Sequence, residues 1–569
     1  MPTLTKHWQV ATRLPAEVER SLHGYPFILC QILYNRGHAT AETARQYLEG
    51  RPPAGTDPLR MKGMPEAVER LSHAIRHSEA IAVYGDYDAD GVTATALLVQ
   101  ALTAMGANVR EYIPNRFDEG YGLNSDALGT LKSNGVQVVI TVDCGIRSLE
   151  EAECARQLGI DLIISDHHHP GKELPGSYSV INPKQSGDLY PDKDLAGVGL
   201  AYKLACALFS SQPPSPFQLH PSAFLDLVAI GTVADLAPLS GENRALVRAG
   251  LKVIRQTQRQ GLFSLMEVAG LAPGRVTAGD IGFIIGPRLN AAGRLDTALA
   301  AYELLTTEDV LQAGQIAQRL EVQNRERQQL TRAMQARAEE LALAENPDAL
   351  LLFAAHPDFN PGVVGLAASR LSELYYRPAI VAQIGETFTR GSCRSIAEFH
   401  ITKALDYCAD LLEHHGGHAA AAGFTISNKN LPAFIERMQS LAAQQLGALD
   451  LRPTLFADIE IPLSDLKAEI LAYLEWLQPT GYGNREAMFV SRGLQVKYSR
   501  TVGKDNSHLK LTVSDGRITY DAIAFRQGHW QNQIPRKIDL MYAFEKNEFN
   551  GQEKLQLNVR DIKPSGTPD

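Results

Sequence analysis

IAVYGDYDADGVTATALL, residues 81–98, is an apolar strand that runs into three alternate aspartates, a glycine and then a helix. Residues of a strand point to alternate faces, so Asp86, Asp88 and Asp90 project together if the strand continues through them. Gly91 followed by a run of small and apolar residues predicts instead that the chain turns there and opens a helix at the strand's carboxyl end, where open α/β sheets place their sites. Carboxylates crowded on one tip repel each other by a few kcal/mol even at moderate effective dielectric. A divalent cation removes that penalty. A solvated acidic turn beside glycine is the alternative that this stretch alone leaves open.

Working outward, residues 61–300 alternate apolar runs with amphipathic helices: NVREYIPN, then VQVVITVDCG and SLEEAECARQLG, then DLIISDHHHP and YSVINP. Strands spaced by helices of this length predict a doubly wound, mostly parallel α/β sheet. Two more strand ends carry ligand-type residues, Asp143 in VDCG and the run Asp166, His167, His168 and His169. A lone aspartate there is commonly a helix cap, and a histidine run a polar loop. Three parallel strands that each deliver Asp or His to one sheet edge form an arrangement that capping and loop roles do not require, whereas a metal site does. Asp235, just beyond the apolar helix FLDLVAIG, adds a fourth oxygen donor. GPRLNAAGRLDTA, residues 286–298, sets Arg288, Asn290 and Arg294 among small residues, which suits close approach to a polyanion and equally suits a tight turn with surface arginines.

From Thr306, with Asp309 three residues on, a capping pattern opens a run to about Ala344 that holds a single glycine and no proline. One helix of that length spans about 55 Å, and its polar middle predicts a connector (residues 301–345) between two domains. Residues 346–446 read as a second, smaller α/β domain. It carries Arg370, the cluster RGSCRS with Ser392 and Arg394, and HHGGHAAAAGF, in which the amides of Gly416 and Gly417 beside His418 suggest an anion nest. Residues 447–569 alternate as five or six short strands, the pattern of a small oligonucleotide-binding (OB) barrel. Tyr498, Phe525 and Phe544, with Lys504, Lys510 and Arg526, are candidates there for base stacking and phosphate neutralisation. Residues 1–60 read as a lead-in packed on the first domain.

Composition excludes several classes. A net charge of −9 argues against coating nucleic acid through bulk charge, although it permits a local basic groove. No apolar run approaches a membrane span and the opening residues lack a signal-peptide core, so a cytoplasmic, membrane-free chain is expected. Six scattered cysteines without a CxxC pair suggest neither a disulfide framework nor a thiolate zinc site.

GDYDADG, VDCG, SDHH and TVADLAPL, followed by a distant GGHAAAAGF, resemble the motifs of the DHH/DHHA1 phosphoesterase superfamily. Their order, together with NRFDEGYGL, GPRLNAAGR, LQPTGYGNREAMF and the terminal barrel, resembles its RecJ branch of bacterial single-strand-specific 5′→3′ DNA exonucleases over roughly residues 60–565. That resemblance implies Asp88, Asp90, Asp143, His167 and Asp235 as ligands of two metal ions, with Asp86 beside them and Asp143 as the bridge. It implies His168 at the scissile phosphate and Asp166 orienting a histidine. It implies Arg116, Ser392, Arg394 and His418 around a terminal 5′ phosphate, and Arg288 at the next one. Related pyrophosphatases place a histidine four residues before the first ligand aspartate, where this chain has Tyr84.

Oxygen ligands with imidazole favour Mn²⁺ or Mg²⁺, and two such ions about 4 Å apart suit in-line hydrolysis to 5′-mononucleotides. By the same likeness, the expected substrate is single-stranded DNA in repair and recombination, the expected partners are single-strand-binding protein and a helicase, and the chain is expected to be a monomer. Two rivals remain: a phosphodiesterase for short oligonucleotides or cyclic dinucleotides, which would lack the barrel, and a non-catalytic scaffold, which would lack the ligands.

Overall fold

The computed structural model describes residues 5–115, 119, 122–211, 220–344, 346–549 and 552–567. Arg116 and the proline-rich stretch around Pro213 lie outside them. Two compact units divide the chain, one of residues 10–322 with 457–568, the other of residues 323–456 with the first nine residues and the last.

The larger unit is built on a five-stranded, wholly parallel sheet. Its strands run in the order Asn108–Tyr112, Ala80–Tyr84, Val136–Val142, Asp161–Ser165 and Ser179–Ile181. The apolar runs have no polar alternation because both faces are covered. Ile81 and Val83 face the helices Ala89–Ala104, Gly197–Ser211 and Leu225–Ala234, while Ala82 and Tyr84 face Ser125–Ser133 and Leu149–Gln157. The doubly wound expectation holds. All strands point the same way, so their carboxyl ends share one edge.

The connector is one helix, Val310–Ala344, of 35 residues. It begins later than the Thr306 pattern predicted: Asp309 caps it, its Oδ1 accepting from the Gln312 N–H at 2.7 Å, while Thr306 ends the preceding helix Leu299–Thr306. The division between the units falls inside this helix, between Val322 and Gln323. The smaller unit holds a mixed sheet ordered Leu412–Gly417, Ala421–Ser427, Phe388–Arg394, Ala379–Ile384 and Leu352–His356, in which only the last pair is parallel.

At the other end of the chain, five strands close into a barrel in the order Phe489–Val502, His508–Ser514, Thr519–Ala524, Gln552–Pro564 and Lys537–Phe549, the last pairing back to the first. Tyr498 and Phe525 are exposed on it, but Phe544 is buried in its core and offers no stacking face. The lead-in meets more than the first domain. Leu29, Ile32 and Leu33 of the helix Phe27–Asn35 are buried in the barrel's own core with Phe489, Leu540 and Ile562, while Arg244, Arg248 and Lys203 of the first domain donate to the carbonyls of Tyr47, Leu48 and Thr56. The apolar helix sequence requires burial without saying against what. None of the six cysteines forms a disulfide.

Arg244 ties these parts together. Only 2% exposed, its guanidinium donates to the carbonyls of Tyr47, Leu477, Pro479 and Trp476 at 2.9–3.2 Å and lies 4.1 Å over the Tyr47 ring. Burial lowers its pKa to about 10, so it stays charged. Arg244→Ala should cost about 2–4 kcal/mol in urea unfolding because four carbonyls lose a charged donor. Arg244→Lys should recover less than half of that; a loss under about 0.5 kcal/mol for the alanine variant would show that the fold does not depend on this link.

Candidate metal centre

Backbone amides hold the aspartates that follow the strand Ala80–Tyr84. The first strand ends at Tyr84, and Asp88 caps the helix Ala89–Ala104, its Oδ1 accepting from the Asp90 and Gly91 amides at 2.9 and 3.1 Å. Asp86 accepts from the Tyr87 N–H at 2.7 Å. In the first turn of that helix, Asp90 points across to the start of Gly197–Ser211, where the Gly197 and Val198 amides donate to its two oxygens at 2.7 and 2.8 Å. An anion at a helix N-terminus is favourable, which explains how a fully buried carboxylate is tolerated.

Asp143 leaves the end of its strand with φ +65, a backbone state that costs a non-glycine residue of order 1–3 kcal/mol and recurs at functional sites. A Cβ on Gly197 would stand 2.8 Å from Asp143 Oδ1, so only glycine admits this carboxylate. His167 Nε2 lies 3.1 Å from Asp143 Oδ1 and 3.7 Å from Asp235 Oδ2. Asp235 caps the carboxyl end of Leu225–Ala234.

These groups converge. Donor atoms of Asp86, Asp88 and Asp143 lie within 4.8 Å of one another, as do those of Asp143, His167 and His168, and those of Asp90, His167 and Asp235. Asp143 is shared by two of the sets and His167 by two. Asp143 Oδ1 is buried with no hydrogen-bond donor among the described residues, although His167 stands near it. Burial first, and then the charges of Asp90, Asp88, Asp235 and Asp86, raise the Asp143 pKa well above the carboxylate range. Asp235 is raised in the same way, with Lys184 opposing, and Asp90 is pushed to about 7 by burial and then Asp88, against the pull of its two amides. Hard oxygen donors with an imidazole, short of positive charge, fit divalent cations of the Mg²⁺ and Mn²⁺ type.

Asp166 stands apart. Burial alone would raise it, yet the His168 ring at 2.7 Å and the His168 and Ile146 amides hold it below its ordinary value. Its partner is His168, whose pKa burial lowers but Asp166, with Asp86 and Asp88, raises on balance. Three further side chains, unnoticed in the sequence, grip the histidine backbone: Lys184 donates to the His167 carbonyl at 2.7 Å, Asn182 to His168 at 2.9 Å and Arg147 to His169 at 2.9 Å. Asn182 and Lys184 directly follow the last parallel strand, so the sheet-edge rule applied there as well would have found them.

The residues of GPRLNAAGR have intramolecular partners. Asn290 Oδ1 accepts from the Ala89 N–H at 2.8 Å and so braces the aspartate turn; Arg288 pairs with Glu321 at 2.7 Å, both largely buried. Arg294 lies in the last turn of Gly286–Leu295.

In the smaller unit, Ser392 and Arg394 share one face of their strand, with Arg394 Nη1 donating to Ser392 Oγ at 3.0 Å. Burial lowers the Arg394 pKa, and no carboxylate pairs with it among the described residues. Gly416 and Gly417 lie in the strand Leu412–Gly417, opposite Gly423 and Ala422. Successive amides of an antiparallel strand point to opposite sides, so the glycine pair does not form the expected nest. His418 N–H donates to the Ala421 carbonyl at 2.7 Å at the turn between those strands. Arg370 is exposed and pairs with Glu373 one turn away at 2.9 Å.

Comparison with known proteins agrees with this division. Residues 80–232 match the DHH family N-terminal domain, 348–444 the DHHA1 domain and 457–561 the RecJ OB domain. The chain is 39% identical to the single-stranded-DNA-specific exonuclease RecJ of Bacillus subtilis over 96% of this chain and 69% of that one. It is 35% identical to the protein of the same name from Escherichia coli over 97% of each. Among solved structures, RecJ from Thermus thermophilus in complex with Mn²⁺ superposes with a TM-score of 0.85 at 31% identity, covering 99% of this chain and 80% of that one. The same enzyme in complex with Mg²⁺ superposes at 0.79 and 30% identity, covering 99% and 79%.

The raised carboxylates carry a pH signature. With Asp90 near 7 when folded and about 3.9 when unfolded, the folded metal-free chain binds more protons across that window, so its stability falls as pH rises through it. Thermal unfolding of the metal-stripped chain should therefore show a lower Tm at pH 8 than at pH 5.5, and Mn²⁺ should raise Tm more at the higher pH. A Tm shift independent of pH would mean that the carboxylates are already compensated without metal.

Proposed function

The chain belongs to the RecJ family of single-stranded-DNA-specific exonucleases, and on that premise we propose that it hydrolyses single-stranded DNA from the 5′ end, releasing 5′-mononucleotides, with two Mn²⁺ or Mg²⁺ ions in the carboxylate cluster. The observation that carries the reading is the sharing of Asp143 between two sets of donors, one with Asp86 and Asp88, the other with His167 and His168. Ions held there supply a water of lowered pKa and offset charge on the phosphate. Asp88, Asp90, Asp143, His167 and Asp235 hold them, and Asp86 is poised to join. His168, its Nδ1 tied to Asp166, offers Nε2 as a donor to the scissile phosphate and keeps its proton through that carboxylate.

Arg394 and Ser392, with His418 at the turn beyond, form the terminal phosphate stop of the smaller unit; Arg116, expected there from the family likeness, lies outside the described residues. A largely buried guanidinium that lacks a carboxylate partner among the described residues is suited to a phosphate. Tyr498 and Phe525, exposed on the barrel, serve the strand further along. The closed barrel counts against a phosphodiesterase of very short oligonucleotides, and the intact donor set against a scaffold. No helix among the described residues is long and apolar enough to cross a membrane. The enzyme works in the cytoplasm as a monomer in DNA repair and recombination, beside single-strand-binding protein and a helicase.

Digestion of 5′-labelled and 3′-labelled single strands, each beside its duplex, tests the whole reading. Early metal-dependent release of the 5′ label from single strands, abolished in Asp143→Ala, is expected; release from the 3′ end would refute the polarity. Arg394→Ala should slow digestion of 5′-phosphorylated strands by about ten- to a hundredfold, the worth of one charge-assisted contact, and 5′-hydroxyl strands far less. Equal slowing of both would move the phosphate stop elsewhere.

A further inference from the structure

Asp235 differs from the other donors in standing at the end of a helix, with its aim set by the turn immediately after it. The helix Leu225–Ala234 ends in a Schellman turn: Leu236 N–H donates to the Val233 carbonyl at 3.2 Å and Ala237 N–H to the Thr232 carbonyl at 3.1 Å. The left-handed position of such a turn favours glycine, yet here it is Leu236 at φ +62, 66% exposed. A leucine held left-handed costs roughly 1–2 kcal/mol, and its exposed side chain gains little in return. Something downstream must hold the turn.

That support comes from the segment leading into the barrel. Leu239 N–H donates to the Tyr482 carbonyl at 2.7 Å. The two glycines flanking Tyr482 allow the contact: a Cβ on Gly481 would stand 2.8 Å from Leu239 Cδ1, and one on Gly483 2.8 Å from Pro238 Cβ. The barrel segment is itself immobilised. Asn484, buried, donates to the carbonyls of Leu477 and Pro479 at 3.0 and 2.6 Å and accepts from Tyr47 and Arg36 at 2.7 and 3.1 Å. The guanidinium of Arg244 holds the same two carbonyls. Loops are ordinarily the mobile part of a fold, and this one is pinned from both sides.

We infer that residues 481–484 are positioning residues for the metal centre: through Pro238 and Leu239 they hold the strained turn that aims Asp235, so the barrel sets metal affinity as well as meeting DNA. The inference rests on the assignment of Asp235 as a metal ligand. It deepens that assignment by placing a second support of one ligand about 240 residues away along the chain, in another domain.

The test is calorimetric titration of the full chain with Mn²⁺, alongside kcat and KM on single-stranded DNA and thermal unfolding. Gly481→Val should weaken Mn²⁺ binding about ten- to a hundredfold, as loss of a ligand's support does elsewhere, and lower kcat with KM nearly unchanged. Leu239→Val, which removes the atom the new side chain would strike, should restore much of that affinity in the double variant. A rise in KM with unchanged Mn²⁺ affinity would overturn the inference and make the loop a DNA contact. A lower Tm with unchanged affinity and kcat would overturn it too, leaving a purely structural link. Absence of Mn²⁺ binding by the wild-type chain would instead remove the metal assignment itself, before any variant is made.

Discussion

Five carboxylates cannot share one buried corner of a protein as anions unless something positive joins them. Two unit charges 4 Å apart repel by about 4 kcal/mol at an effective dielectric of 20, and Asp86, Asp88, Asp90, Asp143 and Asp235 stand close enough to multiply that cost. Much of the larger unit is arranged to endure it. The wholly parallel sheet brings the ends of the strands Ala80–Tyr84, Val136–Val142 and Asp161–Ser165 to one edge, a helix N-terminus receives Asp90, a glycine gives way to Asp143, and a strained backbone turns Asp143 inward. A fold would not gather these groups for stability alone. Cation binding converts a liability of the apo chain into its cohesion.

How much of this could be read in advance depends on the range of each interaction. Strand periodicity and the turn at Gly91 are local, so the sheet, the helix opening at Asp88 and the carboxyl-edge placement of Asp143 and the histidines were legible. The ligand set as a set came from likeness to a family. Contacts made to carbonyls far along the chain were not legible: Arg244 is an arginine like any other until Leu477 and Pro479 are folded against it. Asn290 and Arg288 invited a polyanion reading because small residues surround them, and nothing in the sequence showed that they also meet the Ala89 amide and Glu321. Phe544 could not be told from Tyr498 by sequence, since alternation in a barrel fixes which residues share a face but not which face is inside.

The two ends of the chain meet in one core. Leu29, Ile32 and Leu33 from the start pack with Phe489, Leu540 and Ile562 near the end, and both abut the first domain through Arg244 and the glycines beside Tyr482. The barrel is thus no appended module. It shares its core with the lead-in and its boundary with the turn behind Asp235, and so the part of the chain that would meet a long strand is joined by hydrogen bonds to the part that would cut it.

The most direct test of the central claim is diffraction from crystals soaked in Mn²⁺, recorded at the manganese absorption edge. Two anomalous peaks are predicted, one beside Asp86 and Asp88 and one beside His167 and Asp235, with Asp143 touching both. A single peak away from Asp143, or none with the five carboxylates still gathered, would contradict the account and leave their crowding without a cause.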